Sequence, residues 1–404
     1  MPRWLNRTVM GVGLASLLAD AGYEMATAVL PGFVLAISLS AAPAVVGLMD
    51  GVADLLSNLA KLGSGWLGDR LGRRKPFVVA GYGITGVSYG LWALAAGWPL
   101  LVLGKVLAWF GKGVRGPLRN AILADAIEPQ DRGKAFGIHR AADTVGAVIG
   151  PLCGAAALRW LQPFYPDAPD LPFRWVFALT LVPGLAAAAA FLILVRERPR
   201  TSLDPPQSFR AAIADLPQGY RRYLLGVGLF GIGDFSRSLL ILAAAVLLTP
   251  THGAVRAAEI AALLYAWHNT CQALAAYPVG WLGDAIGRRG ILVAGYFLGA
   301  AVSAGLAIVI MTNTAGWPIL AAIFLASGTY IAIEESLEAA LTADLVPNAA
   351  IRGTAYGVLG VVNGAGDFAA SALVGGLWLV RPELGFAASA ALMLLGALVL
   401  WRWR

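Results

Sequence analysis

The chain is short of charge. Asp, Glu, Lys and Arg make up 13% of its 404 residues, about half the roughly 25% of soluble domains. With hydrophobic residues at 58% and a mean hydropathy of +0.71, this excludes a disordered chain and speaks against a water-soluble enzyme. It also speaks against an outer-membrane barrel, whose alternating strands dilute hydropathy. Cysteine is scarce too. Cys153 and Cys271 each sit in an apolar run, so there is no disulfide scaffold and both read as small packing residues. There are only three His, too few for a His-rich metal cluster. No phosphate-cradling Walker loop, HExxH pair or nucleophile elbow appears. An ATP-driven pump is thereby excluded for this chain alone, and an enzyme is not expected.

What is present is a series of long apolar runs. A helix of about 20 residues spans a bilayer. Twelve such runs follow one another: 8–37, 43–63, 77–97, 99–123, 134–157, 174–194, 222–248, 256–279, 291–312, 317–341, 354–379 and 384–401. The first carries Asp20 and Glu24, is long and has no small-residue cleavage site, so it reads as a span rather than a cleaved leader. Lys and Arg concentrate in alternate loops, at Arg3, Arg7, Arg70, Arg73, Arg74, Lys75, Arg132 and Lys134, then from Arg196 to Arg222, then Arg288, Arg289, Arg352, Arg402 and Arg404. The opposite loops hold only Arg159, Arg174, Arg256 and Arg381. By the positive-inside rule both termini are expected in the cytoplasm, with the chain in the inner membrane. The net charge of +7 is thus a topology signal, and nucleic acid is not an expected partner.

The Pro- and Arg-rich stretch 195–221 reads as a cytoplasmic linker between an N-terminal bundle, 1–194, and a C-terminal bundle, 222–404. The two halves repeat each other. Gly65-Trp-Leu-Gly-Asp-Arg-Leu-Gly-Arg-Arg74 returns as Gly280-Trp-Leu-Gly-Asp-Ala-Ile-Gly-Arg-Arg289. Ala124-Asp125, Arg132-Gly133 and Gly137 return as Ala343-Asp344, Arg352-Gly353 and Gly357. Two echoes in the same order indicate duplication of a six-helix unit.

On these residues the chain resembles the major facilitator superfamily along essentially its whole length. The strongest carrier is 65–75, the family's signature loop between the second and third helices. The resemblance implies an all-α integral membrane protein with twelve transmembrane helices, in two six-helix bundles related by pseudo-two-fold symmetry. It implies that the loop is a latch steadying the outward-facing state, with Asp69, Arg73 and, in the second copy, Asp284 taking part. Gly146 to Ala155, GAVIGPLCGA, is similar to the family's fifth-helix antiporter motif, with Ala155 in place of its last Gly. In the family that motif accompanies export, although a small-residue packing seam would use the same residues. The fourth-helix basic motif is a poor match, with Lys105 or Arg115 standing for its Arg.

Charge inside a span is costly and marks a cavity or a partner. Spans three, six, nine and twelve have no Asp, Glu, Lys, Arg or His in their interiors, so one helix per triplet is expected to face lipid and the other eight to line something wet. Asp20 and Asp234 each lie near mid-span and are near repeat-equivalents, and Glu24 follows Asp20 by four residues. Burial moves a carboxylate toward neutral titration, so Asp20, Glu24, Asp234 and Asp367 are the proton-coupling candidates. Substrate candidates are Tyr23, Asp50, Asp54, Lys112, Arg115, Arg140, Asp143, Trp267, His268 and Tyr330, with Trp109, Phe110 and Tyr265 as further aromatics. At the repeat offset of 219, Arg115 falls opposite Glu334 and Arg119 opposite Glu338. These four are read as a cytoplasmic gate; pairing within one half, with Asp125 or Asp143, is the alternative.

Residues of both signs suit a small polar or amphiphilic organic solute moved by alternating access, exported in antiport against protons. The alternative is proton-coupled import of an organic anion, a metal ion or a metal complex, since Asp20 with Glu24 could be half of a hard-cation site. No metal site or cofactor is expected besides the proton gradient. The expected partners are the small-molecule substrate and the lipid bilayer, and the expected state is a monomer.

Overall fold

A computed structural model describes residues 5–37, 42–70, 73–128, 131–197, 213–314 and 316–402. The side chains of 65–72, 132–134, 349–350 and 352–353 also lie outside the described residues, and with them that of Asp69. The described residues form helices and no strand: α1 (Arg7–Ala36), α2 (Ala42–Arg70), α3 (Lys75–Gly90), α4 (Trp98–Asp125), α5 (Arg132–Leu161), α6 (Leu171–Leu179), α7 (Leu181–Leu194), α8 (Gln218–Gly231), α9 (Arg237–His252), α10 (Ala254–Ile286), α11 (Arg288–Thr312), α12 (Trp317–Leu345), α13 (Ala349–Trp378) and α14 (Pro382–Arg402). They account for the twelve expected spans. The sixth is divided at Thr180 into α6 and α7, and the seventh into α8 and α9.

The division of the seventh span corrects the unbroken run 222–248. Ile232 to Ser236 leave the α-helix. Gly231, Gly233, Asp234 and Ser236 all disfavour a helix interior. The chain tightens through bonds from the Gly233 N–H to the Phe230 carbonyl, 2.8 Å, and from the Asp234 N–H to the Gly231 carbonyl, 2.9 Å. Further along, the Ser236 N–H donates to Ser371 Oγ at 3.0 Å and the Gly233 carbonyl accepts from Ser389 Oγ. The unwound groups are therefore satisfied by side chains, as a low-dielectric setting demands. Gly233 is required by packing: a Cβ there would lie 2.6 Å from the Ser389 carbonyl oxygen. The helix α8 begins at Gln218, inside the stretch 195–221 that reads as linker, and 198–212 lie outside the described residues.

Among the described residues, seven spans are long and apolar enough to cross a membrane by length and composition: the third, fifth, sixth and ninth through twelfth. The polar residues of α1, α2, α4 and α10 lower their hydropathy. Exposed sides of the low-charge helices are apolar, with Val182 and Ile193 on α7, Ile308 and Met311 on α11, and Leu394 and Leu395 on α14. Such surfaces suit lipid.

By packing, the chain divides into two compact units. The first holds α1, the part of α2 from Leu56, α3 to α7, and the start of α10 to Ala266. Its core joins Val9, Val12, Tyr82, Leu118, Ile122 and Phe191. The second holds α2 to Leu55, α8, α9, α10 from Trp267, and α11 to α14, with Tyr223, Phe230, Tyr296, Leu337 and Met393 in its core. Thus α2 and α10 are each continuous helices that contribute to both units. Within the second unit, glycine lets the first part of α2 lie against α13: a Cβ on Gly47 would fall 2.1 Å from the Ser371 carbonyl oxygen, and one on Gly51 would fall 2.7 Å from Phe368 Cα.

Candidate functional site

In the first unit the chemistry gathers on α1, α4 and α5. Asn6 caps α1, its side chain accepting from the Thr8 and Val9 N–H groups, and the helix then runs unbroken past Asp20 and Glu24. The glycines at 146, 150 and 154 place α5 directly against this stretch. A Cβ on Gly146 would lie 2.4 Å from the Leu17 carbonyl oxygen, and one on Gly150 would lie 2.6 Å from that of Ala21. The small-residue seam therefore packs α5 at the level of the two acids. Asp20 faces Arg115 of α4 at 3.9 Å. The Arg115 guanidinium also stacks over the Tyr82 ring, 4.3 Å from its centroid, and donates to Thr85 Oγ1. Glu24, almost fully buried, accepts from the Tyr265 hydroxyl at 2.7 Å. Lys112 donates to the Tyr23 hydroxyl at 3.0 Å. Arg119 donates to Ser16 Oγ at 2.9 Å, and Ser16 in turn contacts the Tyr82 hydroxyl. On α5, His139 and Asp143 approach to 3.5 Å, whereas Arg140 is exposed.

In the second unit the acids gather around the unwound segment. The Tyr330 hydroxyl donates to Asp234 at 2.9 Å. Glu338 accepts from the Tyr296 hydroxyl and, at 2.7 Å, from the Asn363 amide. The Tyr296 ring stacks on Phe230 at 3.7 Å between centroids, which fixes the direction of its hydroxyl. Arg237, at the start of α9, pairs with Glu335 at 3.1 Å. Asp367 lies in the electrostatic field of Asp54, Asp234 and Glu338. Asp50 is buried on α2 and Asp54 half-buried. Trp267 is partly exposed, and its indole N–H donates to the Ala321 carbonyl. His268 is fully buried, edge-on to Phe324. No group of three or more His, Cys, Asp or Glu among the described residues has the placement of a metal site.

The sequence profile of the Major Facilitator Superfamily matches residues 12–232 and again 224–404. The chain belongs to this superfamily. An MFS-type transporter of Methanocaldococcus jannaschii is 30% identical over 398 residues, covering 98% of this chain and 95% of that one. A multidrug resistance protein B homolog of Mycobacterium tuberculosis is 32% identical over 140 residues, only 34% of this chain and 24% of that one. The crystal structure of a nucleoside transporter, NupG, superposes with a TM-score of 0.77 at 13% identity, covering 98% of this chain and 99% of that chain. The chain is therefore a multi-pass membrane protein, a secondary transporter rather than an enzyme, with the superfamily's twelve helices in two six-helix bundles.

As a superfamily member, the chain also explains its two sequence echoes. Arg74, at the end of the signature loop, pairs with Asp125 at 2.9 Å, and Arg288 of the second copy pairs with Asp344 at 2.7 Å. The Asp of the later echo is thus the partner of a loop arginine in each half, so Asp125 serves Arg74. Asp284 bonds Arg288, and Arg73 is exposed. Of the four residues read as a gate, Arg115 and Arg119 bond groups of the first unit, and Glu338 bonds groups of the second. Glu334 interacts with Asp234 there. Sequence reasoning missed Ser16, Tyr82, Thr85, Tyr296 and Asn363. It also missed Glu197, whose carboxylate accepts from the backbone N–H groups of Arg74 and Lys75 and so caps α3. The neutral groups carry no charge signal, and Glu197 sat in what looked like plain linker.

Proposed function

We propose that this transporter exports a small polar or amphiphilic organic solute by alternating access, in exchange for protons. The carrying observation is the mid-span cluster of Asp20, Glu24, Lys112 and Arg115, in which Asp20 faces Arg115, Glu24 accepts from the Tyr265 hydroxyl and Lys112 donates to that of Tyr23. A carboxylate engaged by a cation or a hydroxyl is a group whose protonation rearranges its neighbours. Asp20 and Glu24 are the first coupling residues, with Asp234 and Asp367 their counterparts in the second half. Tyr23, Lys112, Arg115, Asp143, Trp267, His268 and Tyr330 are the residues proposed to meet substrate. The antiporter-like seam on α5 and the partial relative named for multidrug resistance favour export over import. The working setting is the inner membrane, with both termini cytoplasmic and the chain a monomer.

The test is flux in proteoliposomes with an imposed pH gradient. Solute should accumulate on the acidic side and stop moving when a protonophore collapses the gradient. Asp20→Asn should abolish the gradient-driven flux while leaving solute exchange in place. Gradient-driven flux that survives this substitution unchanged removes Asp20 from the coupling path.

A further inference from the structure

Two aromatic side chains of the first unit flank one ammonium. Lys112 Nζ lies 4.0 Å from the Trp109 ring centroid and 4.2 Å from that of Tyr23, and donates to the Tyr23 hydroxyl at 3.0 Å. The two rings are 5.9 Å apart between centroids and inclined by 54°, an open jaw rather than a stack. Tyr89 backs Tyr23 at 6.3 Å and itself abuts Trp92, so the jaw is braced. Beside it, Tyr23, Tyr82, Thr85 and Tyr89 border a void of about 10 Å³, the size of one water. Asp20 and Glu24 supply an attractive field at Lys112, opposed by Arg115 and Lys61. Lys105 approaches the same Trp109 ring only to 5.3 Å. One further feature is unspent: the Trp109 indole N–H is buried and has no hydrogen-bond partner among the described residues.

Paired aromatic faces around a cation, with carboxylates nearby, are what recognition of an organic ammonium requires. An ordinary structural lysine needs neither ring, because its charge is served by a carboxylate or a carbonyl. We infer that Lys112 is a tethered stand-in for the transported molecule, occupying an aromatic cage of Tyr23 and Trp109 whose guest is an organic cation that displaces it. This rests on the transport reading and names its substrate class. The lysine is half-buried, and its flexible four-carbon stem lets the ammonium swing aside when displaced. It also gives the empty carrier a built-in competitor, which keeps the cage from collapsing once the guest has left.

Displacement can be read in the unaltered chain. The full-length protein is treated with an amine-acetylating reagent, with and without benzyltrimethylammonium, and modification of Lys112 is followed by mass spectrometry. Lys75, whose Nζ is held by the Val195 carbonyl at 2.7 Å, is the internal reference. The cation should raise Lys112 modification at least threefold with Lys75 unchanged, and the neutral isostere neopentylbenzene should not. Unchanged or reduced modification, or an equal effect of the neutral compound, overturns the cage. In a second arm, Lys112→Gln should bind benzyltrimethylammonium at least tenfold more tightly than the parent by equilibrium dialysis. Adding Trp109→Ala should cancel the gain; a gain that persists without the indole overturns the assignment. Proton-driven flux without displacement of Lys112 sinks the cage and spares the transport reading, whereas displacement without any flux does the opposite.

Discussion

At the scale of single residues, the charges inside the spans are held mainly by neutral neighbours. Among the described residues, Arg115 pairs with one acid, Asp20 at 3.9 Å, and is otherwise supported by the Tyr82 ring and the Thr85 hydroxyl. Removing one member of a buried pair leaves the other uncompensated, at about 3–5 kcal/mol, whereas replacing both by apolar groups is often neutral. Arg115→Ala should therefore lower the thermal unfolding temperature in detergent, and Asp20→Leu combined with Arg115→Met should recover more than half of the loss. Strictly additive losses would mean that the pair does not interact. The same reasoning applies to Glu24. Tyr265→Phe deletes its hydroxyl partner and should cost about 1.5–3 kcal/mol, with near-complete recovery when Glu24→Gln is added. The sequence pointed to every one of these acids and bases, because charge in an apolar run stands out. It could not choose their neutral partners: Tyr82, Thr85 and Ser16 look like any other residues of a small-residue helix.

At the scale of elements, hydropathy located the helices well and the break in the seventh span poorly. A window average registers the apolar content of 222–248 but not that Gly233, Asp234 and Ser236 together deny the helix its hydrogen bonds. The small-residue motif on α5 was legible as a seam, but not what it seals. With α1 as its partner, the consequence is specific. Gly150→Val should push α5 off the Ala21–Met25 stretch, costing about 1–3 kcal/mol or more, and should weaken solute binding along with stability. Gly83→Val, at a glycine with open space around its Cβ position, should leave the melting temperature within a degree or two of the parent. Equal effects of the two would mean that the α1–α5 approach is not tight.

At the scale of the whole molecule, duplication was the most legible feature. A repeated ten-residue loop stands out in a sequence where a helix face does not, and in each half the later Asp pairs with a loop arginine. The packing units were not legible, because nothing in the composition of α2 or α10 marks the point at which one helix passes from one unit to the other. If transport is proton-coupled exchange, inverting the imposed pH gradient should invert the direction of net solute movement at equal rates of protein insertion. Flux that ignores the sign of the gradient would make the chain a facilitator instead.

The two copies of the first helix of the repeat have become mechanically unlike. From Arg7 to Ala36, α1 is one continuous helix. Its counterpart is broken at Ile232 to Ser236, and the break is clamped from the side by Ser371, Ser389 and Tyr330. Asp20 is therefore carried by a helix and Asp234 by a knot of side-chain bonds, so the same acid is anchored by backbone in one half and by neighbours in the other.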